Sequence, residues 1–395
     1  MSKTLLVLAA SLYQVAAIET AKRMGYRVVT TDNVSANPGH ALADKSYNVD
    51  TTDVDVVLEL AVRENISGII SPGTDVAVVT AAIVAKMLQL PGPSPEAAYM
   101  LTDKFAFRQF LSNAGLPCPR VHDIDSDRSI PSDIFDGNAW LVKPCRASGS
   151  KGIFIVRDYQ DFIGRVVESR AFSMDGKAVL EEFIDGSQHT CEGLLKNGKA
   201  VLALITDRDT VPPPHTATMG HRVPSTLAAP MQSQALTAIE DVFRRLGVRS
   251  GPFDCDFVAS DGRIVLIELT PRLGGNSLSK LFTAALDFDL VAYAVAHACG
   301  DSIPLPAQHR PRPTAVAIFG AEQAGRLAWS QTEADALRHE DWVQTLLMDH
   351  PPGTPVQPFI NGRHRVGEVL VHGANRRELD ERLAELRRRL ALTAN

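Results

Sequence analysis

The sequence predicts a multidomain protein of mixed class, α/β at its start and α+β afterwards, opening on a doubly wound parallel sheet. Three observations carry this. At 395 residues the chain exceeds what one small core organises. Its first hundred residues alternate apolar strands with amphipathic helices, the pattern of a parallel sheet. From Ala139 onward short strands and tight Gly-containing turns take over.

The elements follow in order. "TLLVLAA" reads as a buried strand; it is too short to span a membrane, and polar Gln14 and Glu19 follow soon after. Val15, Ile18 and Ala21 recur at helical spacing, and Gly25 stops that helix. "YRVVTTD" is a second strand, "DVDVVLELAVREN" a helix, and "SGIISPG" a third strand. "TDVAVVTAAIVAKML" is a helix with Thr74 as its N-cap. The first turn, "AASLYQ", lacks the GxGxxG pattern that brings backbone against a pyrophosphate, so dinucleotide binding is not expected. After "LPGPSPE" a helix carries Thr102, Asp103 and Lys104. "AWLVKP", "IFIV" and "KAVLEEFI" are strands, with a helix over "DYQDFIGRVVES". "LLKNGKAVLALI" and "FDCDFVASDGRIVLIEL" are hairpins turned at Asn197–Gly198 and Asp261–Gly262. "TDRDTVPPPHTATMGHRVPS" shows neither helical nor strand period and is expected to be a long loop. The last ninety residues mix a Pro-rich linker, strands such as "RVGEVLVHG" and a closing helix, with no sign of chemistry.

A net charge of −6 gives no general attraction to nucleic acid or an anionic membrane, so neither is an expected partner. Any anionic ligand must be held by local cations and backbone N–H groups. Five scattered cysteines without a CxxC pair point to reduced thiols and a cytoplasmic setting.

Four stretches carry candidate chemistry. "KPCRASGSKGI" combines Lys143 at a strand end with Ser148, Gly149, Ser150, Lys151 and Gly152. Small residues let backbone N–H groups converge on phosphate oxygens; the alternative is a mobile turn. "VLEEFIDGSQH" sets Glu181 and Glu182 at the end of an apolar strand, with Phe183, Ile184 and His189 following. It suits an adenine and its ribose, or else an edge strand with solvated carboxylates. Asp256 and Glu268 lie on the two strands of one hairpin, able to face the same side. Two facing carboxylates repel unless a cation sits between them, and Mg²⁺ is the hard cation that also bridges to phosphates. The alternative pairs one acid with Arg272. His221 and Arg222, in the expected loop, are candidate substrate contacts or solvated residues.

In their order and spacing these motifs resemble the ATP-grasp enzymes. The likeness is to the branch of biotin carboxylase, carbamoyl-phosphate synthase and the ATP-dependent L-amino-acid ligases, and it covers nearly the whole chain. It implies an ATP-grasp fold divided at 1–115 (N-terminal α/β), 116–184 (small subdomain with glycine-rich flap), 185–305 (large subdomain with metal site) and 306–395 (C-terminal lobe). Lys104 matches the first nucleotide lysine, Lys143 the second, "ASGSKGI" the flap and "LEEFI" the adenine strand. Asp256 and Glu268 match the metal-binding acids, with Thr270 standing where the family often has Asn. Arg272 matches the arginine after the metal strand, and "GHRVPS" a substrate loop that contains His221 and Arg222. The implied activity is an ATP-dependent, ADP-forming ligase. It would convert a carboxylate, an amino acid or small organic acid, to an acylphosphate and join it to an amine. ATP and Mg²⁺ (or Mn²⁺) would be cofactors, and a homodimer the assembly. Glu268 and Lys143 would act on the phosphates and Arg272 on the acyl group, while Gly274, Gly275 and Asn276 let substrate approach the backbone. Two further readings stand beside it: a bicarbonate-activating carboxylase-like enzyme acting on a small amine, and an ATP-binding regulatory protein without turnover.

Overall fold

The structure is a computed structural model and describes residues 2–124, 130–135, 137–212, 215–306 and 310–395. The chain begins β1 (Thr4–Leu8), α1 (Leu12–Arg23), β2 (Arg27–Asp32), α2 (Pro38–Leu42), β3 (Lys45–Asn48), α3 (Val54–Arg63), β4 (Gly68–Ile70) and α4 (Val78–Met87). Its four strands form a parallel sheet in the order β3-β2-β1-β4. Leu5 to Leu8 are fully buried, as a strand covered on both faces requires. The "AASLYQ" turn closes in a capping box between Ser11 and Gln14, and Gln14 Nε2 donates to Pro72 O at 2.6 Å.

One boundary moves with consequences. α4 starts at Val78 behind Ala77, not at Thr74. Residues 71–77 form a turn instead, closed where Ser71 Oγ donates to Thr74 O at 3.0 Å, and it carries Asp75 toward the rest of the molecule.

α5 (Pro95–Thr102) and α6 (Lys104–Asn113) break at Asp103, whose carboxylate caps α6 by accepting from Ala106 N at 2.9 Å. β5 (Val121–Asp123), β6 (Trp140–Pro144), β7 (Phe154–Val156), α7 (Tyr159–Ala171) and β8 (Ala178–Glu182) then build a small antiparallel sheet, order β5-β8-β6-β7, over a core that includes Trp140, Phe162 and Leu180.

The remaining elements are β9 (Ser187–Lys196), β10 (Lys199–Thr210), β11 (Thr218–Val223), α8 (Ala229–Arg245), β12 (Gly251–Ser260), β13 (Arg263–Thr270), α9 (Leu278–Leu286), α10 (Leu290–Ala298), β14 (Thr314–Gly320), β15 (Gly325–Ala328), α11 (Gln331–Leu337), β16 (Val343–Met348), β17 (Pro355–Val356), β18 (Arg365–His372), α12 (Arg376–Leu390) and β19 (Thr393–Ala394). Eight of these strands make one sheet, β13-β12-β9-β10-β11-β14-β18-β16. The C-terminal strands β14, β16 and β18 therefore extend the sheet that carries β12 and β13. Both expected hairpin turns are present, with positive φ at Asn197 and Gly198 and at Asp261 and Gly262.

The stretch 206–225 is not a long loop. β10 runs to Thr210, β11 resumes at Thr218, and Arg208 pairs in register with His221. β11 is held from its other side by β14, more than ninety residues later in the chain. That non-local pairing leaves no trace in local periodicity. No single helix among the described residues is long and apolar enough to cross a membrane. Leu281 and Phe282 of α9 and Leu290 of α10 lie in a buried core with Leu204 and Val316.

Candidate functional site

A cavity of about 460 Å³ opens where the parallel sheet, the small sheet and the large sheet meet. Its walls are built by strand ends and by the turns between elements, where an α/β scaffold presents side chains without giving up core.

The wall that carries Asp256 and Glu268 depends on a bulge. Along β12–β13 the pairs Ser260↔Arg263 and Phe257↔Leu266 each sum to 523, but Asp256↔Glu268 sums to 524. Ile267 is the extra residue. Without it, Asp256 would face Ile267 and Glu268 would turn to the other side of the sheet. Arg108 from α6 fixes the bulge, its Nη2 donating to Ile267 O at 2.6 Å. Asp256 accepts from Thr190 Oγ1 at 2.5 Å and pairs with Arg208 Nη1 at 2.9 Å. Enclosure raises the Glu268 carboxyl above its usual range; Lys104 opposes this, and the nearby Asp75 and Asp256 add to it. Two facing carboxylates suit Mg²⁺, which takes one or two protein carboxylates and completes its shell with phosphates and water. No group of three or more His, Cys, Asp or Glu side chains placed to hold a metal ion is found among the described residues. Thr270 sits deeper. It is 1% exposed, does not line the cavity, and its hydroxyl has no hydrogen-bond partner, so its position does not fit the expected metal ligand.

A second wall centres on Lys143, buried on β6. It pairs with Glu181, whose other oxygen accepts from Arg108 Nε at 2.9 Å. Burial opposes the Glu181 charge, but Arg108 and Lys143 outweigh it and hold the carboxyl below its ordinary value. Burial lowers Lys143, against the pull of Glu181. Glu181 thus lines the cavity as the hub of a buried ion triad. Glu182 lines the cavity with its carboxylate held by Arg120 Nε at 3.1 Å. Phe183 and Ile184 line the cavity as expected, but His189 does not. Its ring stacks on Phe257, 5.4 Å between centroids, and contacts Ser187, Asp207 and Ser225.

Ser148, Gly149, Ser150 and Lys151 line the cavity from the flap, and Lys104 ties α6 to it by donating to Ala147 O at 3.3 Å. Gly152 lies off the cavity. A Cβ there would meet Phe172 at 2.7 Å, so this glycine serves close packing of the flap base. Burial lowers the Lys151 ammonium, helped by the charge of Arg363. Arg363 and Gly362 line the cavity from the C-terminal residues, where no chemistry was expected.

Arg272 stands between the Asp256–Glu268 wall and the parallel sheet. Its Nε and Nη2 donate to the two oxygens of Asp75 at 2.9 and 2.7 Å, and its Nη1 to Asp254 at 3.2 Å and Leu273 O at 2.9 Å. Gly275 and Asn276 line the cavity, but Gly274 is tucked beneath. Gly274 N donates to Glu192 Oε1 at 2.8 Å, and a Cβ at that glycine would meet Leu278 at 2.9 Å. Glu192 also accepts from Ser279 Oγ at 2.8 Å, while its Oε2 has no partner. Opposite it in register is Asp254, whose Oδ1 is likewise unpartnered. Burial pushes the Glu192 carboxyl up to about 7.

His221 and Arg222 do not reach the cavity. His221 is buried on β11, its Nδ1 3.0 Å from Thr206 Oγ1, and burial pushes its pKa down to about 3. Arg222 pairs with Asp209 and Asp380. From that stretch the cavity is lined instead by Arg208 and by Thr216, Ala217 and Thr218.

Asp75, Asp254, Arg208, Glu192, Arg108 and Arg363 are site residues that the sequence reading missed. A signal existed for Asp254, which lies two residues before Asp256 on one strand face. It existed less clearly for Arg208, on the continuation of the "VLALI" strand.

Residues 138–280 match the ATP-grasp domain, and residues 317–394 match the L-amino acid ligase C-terminal domain 2. The chain carries an ATP-grasp domain. Protein y4rH of Sinorhizobium fredii is 26% identical to this chain over 84% of its length and 70% of the relative's. Carnosine synthase 1 of Homo sapiens is 24% identical over 73% of this chain, which spans only 38% of that longer protein. Among solved structures, L-amino acid ligase from Bacillus licheniformis superposes with a TM-score of 0.81 at 18% identity, covering 100% of this chain and 98% of that one. At that identity the likeness speaks for the ATP-grasp fold.

Proposed function

We propose that the chain is an ATP-dependent, ADP-forming ligase that activates a carboxylate, an amino acid or small organic acid, as an acylphosphate and joins it to an amine. The observation that carries this is the bulge-set pair Asp256–Glu268, facing a cavity whose other walls bring the flap and Lys104 on one side and Arg272 on the other. As units we propose 1–115, 116–184, 185–305 and 306–395, the last two sharing one sheet.

In the first step the acid's oxygen forms a bond to the γ-phosphorus, and ADP leaves with the electrons of the broken P–O bond. In the second, the amine nitrogen bonds to the acyl carbon, phosphate leaves, and the nitrogen loses a proton. The protein's part is positioning and charge neutralisation. Lys104, Lys151 and the flap N–H groups hold the phosphates. Lys143, its charge shared with Glu181, fixes the adjacent wall. Asp256 and Glu268 would hold Mg²⁺, which when bound offsets charge between phosphate oxygens. Arg272 meets the acid end. The names of carnosine synthase and L-amino acid ligase support amino acids as the acid class.

The test is release of ADP and phosphate from ATP and Mg²⁺ with a panel of amino acids supplied singly and in pairs. Release that requires an acid and an amine together supports the ligase. Release with bicarbonate alone would make it carboxylase-like, and none with any pair would leave an ATP-binding protein without turnover.

A further inference from the structure

We propose that Asp75 is an internal competitor for the substrate anion at Arg272, and that it sets the affinity of the site for the acid. The inference rests on the ligase reading and concerns which group occupies Arg272 before the acid arrives.

A guanidinium has five N–H donors in a planar fork. Asp75 takes Nε and Nη2 in parallel, at 2.9 and 2.7 Å, the two-point geometry by which arginine recognises a carboxylate or a phosphoryl group. Nη1 is used by Asp254 and by Leu273 O. What remains is one Nη2–H, with Glu268 Oε1 at 3.9 Å from that nitrogen. Arg272 therefore has a single N–H left for a ligand. An incoming acid or acylphosphate gains a two-point contact only by taking over an existing one.

Asp75 is the partner most readily exchanged. The Leu273 carbonyl is main chain beside Arg272 itself. Asp254 lies within β12, flanked in register by Glu192 and Thr270. Asp75 belongs to the turn 71–77, outside any helix or strand. That turn rests on the Arg272 segment through Gly73 N donating to Leu273 O at 3.1 Å, a main-chain contact in which the Asp75 side chain takes no part. Both Asp75 and Arg272 line the cavity, each about a tenth exposed. The Asp75 carboxylate thus stands where a carboxylate substrate would stand. Tethered this way it acts at an effective concentration on the order of millimolar or above, which a free acid must overcome.

The test compares Asp75→Asn and Asp75→Ser with the full-length wild type. Thermal unfolding checks folding, calorimetric titration with inorganic phosphate measures anion binding without turnover, and ADP release gives KM for the best acid of the panel. The expected result is phosphate binding tightened by about ten-fold or more in both variants, a lower KM for the acid, and an unchanged KM for ATP. Weaker or unchanged phosphate binding in a folded variant, or a raised acid KM, overturns the proposal, since an Asp75 that merely orients Arg272 would act in that direction. Failure of both variants to fold overturns it too, because the contact is then a structural tie and not an exchangeable one. A wild type that binds phosphate but releases no ADP would refute the ligase reading while leaving the binding comparison intact.

Discussion

Glu192 should make the protein progressively less stable as pH rises toward neutrality, and Glu192→Gln should remove that dependence. Glu192 is fully buried, titrates near 7 in the fold against 4.5 ordinarily, and faces Asp254 across the strands with an unpartnered oxygen on each side. Below about pH 4.5 the group is protonated whether folded or not, and contributes no difference. Between 4.5 and 7 the unfolded chain gives up the proton first, so stability falls with pH, and above 7 the whole penalty is present. At roughly 1.4 kcal/mol per pH unit the gap amounts to about 3 kcal/mol. Glutamine keeps the oxygen that accepts from Gly274 N and Ser279 Oγ, and puts an uncharged amide in place of the unpartnered carboxylate oxygen. Urea denaturation of both proteins from pH 5 to 8.5 is the assay. The curves should meet near pH 5 and diverge by about 3 kcal/mol at pH 8.5, the variant being the more stable. Parallel curves, or a variant less stable at high pH, would refute a buried proton on this pair.

Other substitutions sort the site from its surroundings. Glu268→Gln should cut ADP formation by about a hundred-fold or more while leaving circular dichroism unchanged, since it removes one of two facing carboxylates; turnover near wild type would sink the metal assignment. Glu181→Gln strands Arg108 and Lys143 in the interior and should cost about 3–5 kcal/mol in denaturant titration, and an unmoved midpoint would contradict the ion triad. Arg222→Ala removes a residue whose partners are Asp209 and Asp380, off the cavity, so acid KM should stay within about three-fold of wild type and stability within about 1 kcal/mol. A large rise in KM would restore Arg222 to the substrate site.

What the sequence made legible was local. Strand–helix alternation, the two-residue turns and the flap composition each depend on neighbouring residues, and the parallel sheet, both hairpins and the cavity-lining Ser148–Lys151 follow them. What stayed hidden needed long-range pairing. β11 reads as loop because its strand character comes from β10 and β14 on either side. Asp75 reads as the first turn of a helix because nothing near it announces Arg272, almost two hundred residues away. The pair Asp256–Glu268 lies between these cases. Both acids stand out in the sequence, yet a regular hairpin turned at Asp261–Gly262 would set them on opposite faces. The extra residue Ile267 brings them together, and its free carbonyl is held by Arg108.

Arg108 therefore joins the two walls of the cavity. Its Nε holds Glu181, the partner of Lys143, and its Nη2 holds the bulge that turns Glu268 inward. Arg108→Lys separates the two tasks. A lysine ammonium keeps a charge near Glu181 but cannot span both partners with a rigid fork. The KM for ATP should then change little, while the Mg²⁺ concentration needed for half-maximal ADP release should rise by about ten-fold, as Glu268 loses its fixed orientation. If ATP and Mg²⁺ requirements rise together, Arg108 acts through Lys143 alone and the bulge holds itself.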